Sequence, residues 1–490
     1  MAAGASGVLR AFVRQFTRVI LLGMVSVALA ACIDPQAGNN DNLRSSWVRP
    51  EDPQEQIGRK EHPAILTKYG GEYSNPKVEV LLAVIVGRLV AVSDDPNRVY
   101  KITVLNSPKV NAFALPGGYL YVTRGLLALA NDASEVAAVV AHEMAHVSAN
   151  HAIIRQEKVS SAAIGDRIAS EVLQGSTASK VAVAANRVRL SKFSQEQEYQ
   201  ADTIGIRMAG RAGYDPFAAE RFLATMQAYR QFLSGGQSLA DDENFASSHP
   251  STPKRMELAR RHARFFGSPG VGERDVDRYL DGIDGMLFGD TPQEGFVRGR
   301  NFAHTGLGIT FQAPEKFVID NQSKAVLISG PGDITTRFDA TVVSTRSSLS
   351  DYLQSGWISG LVEETIREQT INGLPSAVAS ARGDGWRFKV RVIKNGSQLY
   401  RFVTAAPQTS TNLDAVSRQL TGSFRVLSDR EIKALKPLAI RIVKYDGRSE
   451  SALMSRMRGT NNKRKMFKLL NGLQEDAVLQ PGQRVKIIAE

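Results

Sequence analysis

At 490 residues the chain is long for one hydrophobic core and leaves room for two or three domains. Its 43% hydrophobic and 22% charged residues exclude both a disordered chain and a membrane-embedded one. The net charge of +12 admits an anionic neighbour, yet no nucleic-acid motif accompanies it, so nucleic acid is not an expected partner.

Arg10, Arg14 and Arg18 precede any acidic residue, and the apolar run "VILLGMVSVALAAC" then leads to Cys32, the sole cysteine. A basic start, a short apolar stretch and small residues before a cleavage point read as a secretory signal, too short to prefer a membrane span. "LAAC", Leu29 to Cys32, resembles the bacterial lipobox, which makes residues 1–32 a lipoprotein signal peptide and Cys32 the lipidation site. The expected location is the periplasmic side of a bacterial cell envelope, membrane-anchored. Ile33 after the cysteine, in place of aspartate, favours the outer membrane. No other thiol remains for disulfides or nucleophilic catalysis.

Residues 33–55 are polar and rich in turn formers, as a linker would be. From 56 to 268 the pattern is mainly helical. "VLLAVIVGRLVAV", 80–92, is interrupted by Arg88 and suits an amphipathic helix. One extended segment, 100–123, alternates on either side of Pro116-Gly117-Gly118. Asp132 with Glu135 three residues on makes a capping box that opens a helix, and neither proline nor glycine interrupts the chain until Gly165. "SQEQEYQADTIGIRMAGRAGYDP" reads as a second helix ending near Gly213. From 296 to 428 strands dominate. "LGITFQ" and "ATVVST" read as strands, "SDYLQSGWISGLVEETIREQ" as a helix, and a hairpin turns at Asn395-Gly396. No catalytic cluster is legible there.

The chemistry concentrates in "AHEMAHVSANH", 141–151. Residues four apart on a helix lie about 40° apart around its axis, so His142 and His146 share a face and can reach one ion. Zinc accepts such nitrogen ligands, and Glu143 stands where a carboxylate can take a proton from water at the metal. With seven histidines in the chain, chance supplies roughly 0.005 such matches. His151 falls about 180° round a continuous helix from His142 and reads as a packing or surface residue. About fifty residues on, Glu198 and Asp202 share a helix face, a candidate carboxylate ligand beside an acid able to orient a liganding histidine. Glu196 is the alternative ligand.

"NAFALPGGYLYVTRGLLAL", "HEMAH" and "SQEQEYQAD", in that order, resemble the HtpX and CAAX-prenyl-protease family of zinc metallopeptidases, nearest its exported BepA-type members. The resemblance runs from "EHPAILTKYGGEY" at 61 to "SSHPSTPKR" at 255. It implies a zinc metallopeptidase domain over 56–268 holding one zinc ion on His142, His146 and Glu198. Glu143 would be the catalytic base and Asp202 a supporting residue. The family's usual arginine after the serine of the third motif is Gln195 here, which puts a local salt bridge in question. His249 matches a family histidine-proline element and is expected near the zinc, as an oxyanion stabiliser or as a gate on the open position. Asn111 and Ala112 are expected to present a strand edge to an extended peptide.

"LAIRIVKYDGRSESALMSRM" and "KMFKLLNGLQEDAVLQPGQRVKII" resemble a LysM module over 436–490, which implies peptidoglycan as a candidate partner. The usual Gly-Asp-Thr turn is replaced by Asp446-Gly447-Arg448-Ser449. Residues 431–490 carry 13 Lys+Arg against 6 Asp+Glu, so +7 of the +12 sits there. The expected fold class is therefore α+β: a mainly helical gluzincin-type metalloprotease domain with a small edge sheet, an α+β domain over 296–428, and a LysM-like βααβ module. The expected function is zinc metalloendopeptidase acting on misfolded or unassembled envelope proteins. The alternative is a wall-anchored chaperone or scaffold with a gated or inactive metal site.

Overall fold

Helix α1 spans Pro53–Lys68 and α2 spans Pro76–Ala91 in a computed structural model that describes residues 52–172, 177–234, 245–460 and 462–490. The lipobox, Cys32 and most of the linker lie outside the described residues. Asn75 caps α2, its side-chain oxygen accepting from the backbone N–H groups of Lys77 and Val78 at 3.1 and 3.4 Å. Val78, Leu81, Leu82, Ile85, Val86 and Leu89 are buried along one stripe, while Arg88 turns out to bond the Ala212 carbonyl. Among the described residues no helix is long and apolar enough to cross a membrane.

Three short strands follow: β1 (Lys101–Leu105), β2 (Ala112–Leu115) and β3 (Tyr119–Thr123). Their order is β1-β3-β2, parallel then antiparallel, so β2 is an edge. Gly117 and Gly118, both at φ +82°, make the turn that a side chain would strain. Helices α3 (Arg124–Leu129), α4 (Ala133–Ser148), α5 (His151–Val172), α6 (Thr177–Arg211), α7 (Ala218–Ser234), α8 (Phe245–Ser248), α9 (Pro253–Ala263) and α10 (Val276–Ile283) complete the helical part. In α4 every residue but His146 and Ser148 is buried, the mark of a central helix. The single uninterrupted helix expected up to Gly165 is not formed. Helix α4 stops at Ser148, and Asn150 takes a left-handed φ of 55° before α5 begins at His151. Asparagine is among the few side chains that tolerate this conformation.

Strand β4 (Leu287–Phe288) leads to two sheets. The smaller joins β5 (Phe296–Arg298), β6 (Asn301–His304), β7 (Ile309–Gln312) and, from later in the chain, β15 (Arg425–Val426). The larger is antiparallel throughout, built from β8 (Val318–Gln322), β9 (Ala325–Gly330), β10 (Ile334–Val342), β11 (Leu361–Ile371), β12 (Leu374–Gly383), β13 (Trp386–Asn395) and β14 (Gln398–Pro407). The helix expected over 350–369 is confined to α11 (Leu349–Gln354); Leu361–Ile371 is a strand. Gly356 and Gly360, at φ 84° and 72°, end the helix, and a Cβ on Gly360 would strike the Arg382 carbonyl. Asn372-Gly373, both left-handed, then forms the hairpin that pairs β11 with β12. Cross-strand pairing thereby overrides the helix-forming glutamates and arginine of this segment. Helix α12 (Leu413–Gly422) packs on the larger sheet.

After α13 (Asp429–Ala434), the chain closes with β16 (Leu438–Lys444), α14 (Glu450–Ser455), α15 (Lys463–Leu470) and β17 (Arg484–Ala489). Strands β16 and β17 are antiparallel, and β4 pairs with the other side of β16. Leu438, Ile440, Phe467 and Ile487 belong to the same buried cluster as Leu82, Val136 and Val140. The segment read as a module of its own thus shares one core with the metal-bearing helices. Its Lys486, fully buried, donates to the carbonyls of Ala128 at 3.0 Å and Ala130 at 2.5 Å, at the end of α3.

Candidate metal centre

Asp132 caps α4 by accepting from the Glu135 N–H at 2.9 Å. The reciprocal half of the capping box is displaced by one residue: the Glu135 carboxylate accepts from the N–H of Asn131, not of Asp132. Arg221 and Arg274 pair with the other Asp132 oxygen at 3.0 and 2.7 Å, holding this helix end in place.

One turn apart near the other end, His142 and His146 bring their Nε2 atoms to 3.0 Å. Helix α6 supplies Glu198, whose carboxylate oxygens lie 3.4 Å from each of these nitrogens. His249, just after α8, adds Nδ1 at 3.2 Å from His142 Nε2 and 3.0 Å from Glu198. Four donor atoms, one from each residue, all lie within 4.8 Å of one another. A tetrahedron with bonds of about 2.0 Å has edges of about 3.3 Å, so the contacts of 3.0 to 3.4 Å among these donors suit zinc. Three imidazole nitrogens and a carboxylate converging on one point also cannot all satisfy each other by hydrogen bonding, because too few carry protons. The donor set fits a cation.

A second layer fixes the first. Asp202, one turn after Glu198, places Oδ1 3.0 Å from His142 Nδ1. Arg255 of α9 grips Asp202 with two contacts of 2.7 Å and reaches Glu198 at 2.9 Å. Gln195 therefore leaves no gap in the charge balance, since Arg255 supplies the guanidinium from another helix. Arg255 escapes a reading by spacing alone: nothing local distinguishes it from the exposed arginines that follow. Glu196 is exposed on α6, which excludes it as the alternative ligand, whereas Glu198 is buried. His151, read as a packing or surface residue, is buried and places Nδ1 2.8 Å from His146 Nδ1. The 180° offset presumed a continuous helix, and the break at Asn150 swings the ring back.

Glu143 is buried, with Oε1 3.5 Å from His249 Nε2. Burial pushes its carboxyl up, partly offset by the neighbouring histidines, which suits a group that must take and return a proton. Without a cation, burial works against charge on His142, but Asp202 and Glu198 outweigh it and push that imidazole up to about 10. Burial brings His146 down to about 3, beyond what its hydrogen bond to Glu198 offsets. Burial also opposes ionisation of Asp202, yet Arg255 lowers it to about 2. Glu198 is held far below the carboxylate range by the three histidines, against burial.

Asn111 is buried and turned inward: its N–H donates to Thr123 Oγ1 at 3.0 Å and its carbonyl accepts from the Thr123 N–H at 3.0 Å. By the alternation of an antiparallel pair, the backbone groups of Ala112 and Ala114 face away from β3. Ala112 is fully buried and Ala114 partly exposed. The Val110 carbonyl accepts from Phe245 N–H at 2.9 Å, which ties the helix before His249 to the start of this strand. A small hollow lined by Ala114, Leu115, His146 and Ile153 lies between strand and metal cluster.

Residues 76–263 match the model of Peptidase family M48. An M48-type metallopeptidase domain thus carries the cluster. The chain is similar to mitochondrial metalloendopeptidase OMA1 of Schizosaccharomyces pombe, 30% identical over 209 residues, 42% of this chain and 59% of that protein. It is also similar to the OMA1 of Arabidopsis thaliana, 30% identical over 188 residues, 38% of this chain and 36% of the relative. The beta-barrel assembly-enhancing protease of Escherichia coli (strain K12) is 27% identical over 202 residues, 39% of this chain and 40% of the relative. The chain spans less than two thirds of the length of each of these relatives. Among solved structures, cyanobacterial PsbP (CyanoP) from Synechocystis sp. PCC 6803 aligns with a TM-score of 0.21 and 13% identity over 28% of this chain and 98% of that one, too slight a likeness to bear on the fold.

Proposed function

We propose that the protein is a zinc-dependent metalloendopeptidase of the bacterial cell envelope that cleaves misfolded or unassembled envelope proteins. The observation that carries this reading is the four-donor cluster with the buried carboxylate of Glu143 beside it. Zinc bound there supplies a Lewis acid that polarises a peptide carbonyl and acidifies water. His142, His146 and Glu198 hold it, with Asp202 and Arg255 fixing their orientation. Glu143 takes a proton from water and returns it to the leaving amine nitrogen. The outward backbone groups of Ala114, partly exposed, would pair with an extended substrate, giving modest sequence preference, while Ala112, fully buried, would support that edge from beneath. Asn111 would act by holding that strand in place.

His249 completes a set of four protein donors, the arrangement of a closed site rather than an open one. In this reading His249 is a gate that withdraws to admit water and substrate. The same closure favours the second reading, a chaperone or scaffold whose metal site stays shut. The name of the Escherichia coli relative makes unassembled β-barrel proteins candidate substrates. Lipid on Cys32 would anchor the chain, at the outer membrane, and residues 436–490 would bind peptidoglycan as a LysM-like module.

Residues 33–490 of the wild type, Glu143→Gln and His249→Ala would be assayed on an unfolded protein, with zinc content measured for each. Zinc in wild type and Glu143→Gln, with cleavage by the wild type alone, supports the endopeptidase. Cleavage gained only by His249→Ala supports a gate. Cleavage by no variant favours the scaffold.

A further inference from the structure

His146 faces the metal cluster with Nε2, so a lone pair there requires its single ring proton to sit on Nδ1. That proton needs an acceptor, and His151 Nδ1 lies 2.8 Å away. An accepting Nδ1 in a neutral imidazole places the His151 proton on Nε2, which lies 3.1 Å from Oε1 of Gln200. An amide oxygen only accepts, so the chain of protons closes without conflict. We propose that His151 is a positioning residue: held by Gln200, it fixes the Nδ1–H tautomer of His146 and aims the Nε2 lone pair at the metal.

The backbone supports the same role. The left-handed turn at Asn150 returns His151 to the ligand face, and its carbonyl accepts from Gln197 Nε2 at 3.0 Å. Gln197 is in turn bonded by Arg155 at 3.3 Å. Gln197 and Gln200 flank Glu198 on α6, so the helix that contributes the carboxylate ligand also clamps the orienting histidine at carbonyl and ring. The two liganding histidines are consequently held differently. His142 leans on the anionic Asp202, whereas His146 leans on a neutral imidazole that adds no charge to the site. His151 touches no donor atom of the cluster and acts only through His146.

The inference rests on the metal-site reading, and its test separates the two. Zinc dissociation constants would be measured by chelator competition for wild type, His146→Ala, His151→Phe and His151→Gln, with melting temperatures of the metal-free proteins. Phenylalanine keeps a flat ring but accepts nothing, whereas the glutamine amide oxygen can accept from His146 Nδ1. His151→Phe is expected to weaken zinc binding by roughly 10- to 100-fold, and His151→Gln to recover most of it. The cobalt-substituted proteins should show an altered visible spectrum for the phenylalanine variant alone. Wild-type affinity in His151→Phe, or equal weakening in both variants, overturns the positioning role. Failure of the wild type to bind zinc more tightly than His146→Ala overturns the metal-site reading and the inference with it.

Discussion

Gly205 of α6 lies against the backbone of His142, so close that a Cβ on it would stand 2.9 Å from the His142 nitrogen. The two helices that share the ligand set, α4 with the histidines and α6 with Glu198 and Asp202, therefore touch backbone to backbone at His142, itself one of the donor residues. A methyl group there must push them apart. Gly205→Ala is expected to cost about 1–3 kcal/mol of stability through overpacking. It should also weaken zinc binding by roughly tenfold, because a displacement of a few tenths of an ångström is large against a metal bond. Urea unfolding of the metal-free protein and chelator competition would read the two effects separately.

Arg255 and Asp202 form a buried bidentate pair, with Glu198 on the same guanidinium. Removing one partner of such a pair leaves uncompensated charge in the interior, which costs about 3–5 kcal/mol. Arg255→Met is expected to lose stability on that scale in the metal-free protein. Zinc should restore part of it by neutralising Glu198. A loss below about 1 kcal/mol in urea titrations would show that the cluster tolerates its carboxylates unpaired.

Burial, reinforced by Asp132, pushes the carboxyl of Glu135 up from 4.5 to about 7. Between those two pH values the folded chain holds a proton that the unfolded chain has lost. The stability this group contributes is present below pH 4.5 and is lost as pH rises through 7, a change of about 3 kcal/mol. Lys486, lowered to about 7 by its own burial, is charged in both states across most of this window and adds little slope. Glu135→Gln keeps the acceptor for Asn131 and removes the titration. His146, brought down to about 3 by burial, adds an opposite slope to both proteins, so the difference between them is the readout: from pH 5 to pH 7 the metal-free wild type should lose about 2 kcal/mol relative to Glu135→Gln in urea unfolding.

The shared core makes a prediction for truncation. Deleting 436–490 strips β16 from β4 and uncovers apolar surface next to α3 and α4. Such a chain is expected to expose hydrophobic surface, read by dye binding and aggregation, and to lose its metal site through loss of fold. Lys486→Met is the milder probe. It leaves the carbonyls of Ala128 and Ala130 without their donor and is expected to cost about 1–3 kcal/mol in urea titrations. A truncated chain that melts like the intact one would show that the two parts are independent.

Local rules made the spacing of His142, Glu143 and His146, the pairing of Glu198 with Asp202, and the cap at Asp132 legible in the sequence, because each depends on neighbours within about one helical turn. The same rules misread Leu361–Ile371, whose glutamates favour a helix until β12 offers a partner. They also placed His151 on the wrong face, since the left-handed turn at Asn150 leaves no periodic signature. Arg255, Gly205 and Lys486 were silent for a further reason. Each acts on a residue 53 or more positions away, at Asp202, His142 and Ala130, and only the packing of helices and strands brings those pairs together. The sequence by itself determined which side chains can hold a metal and move a proton. The tertiary structure decided how those side chains are aimed, what balances their charge, and that the last strands of the chain complete the core beneath them, because orientation and burial belong to contacts between elements rather than to any one element.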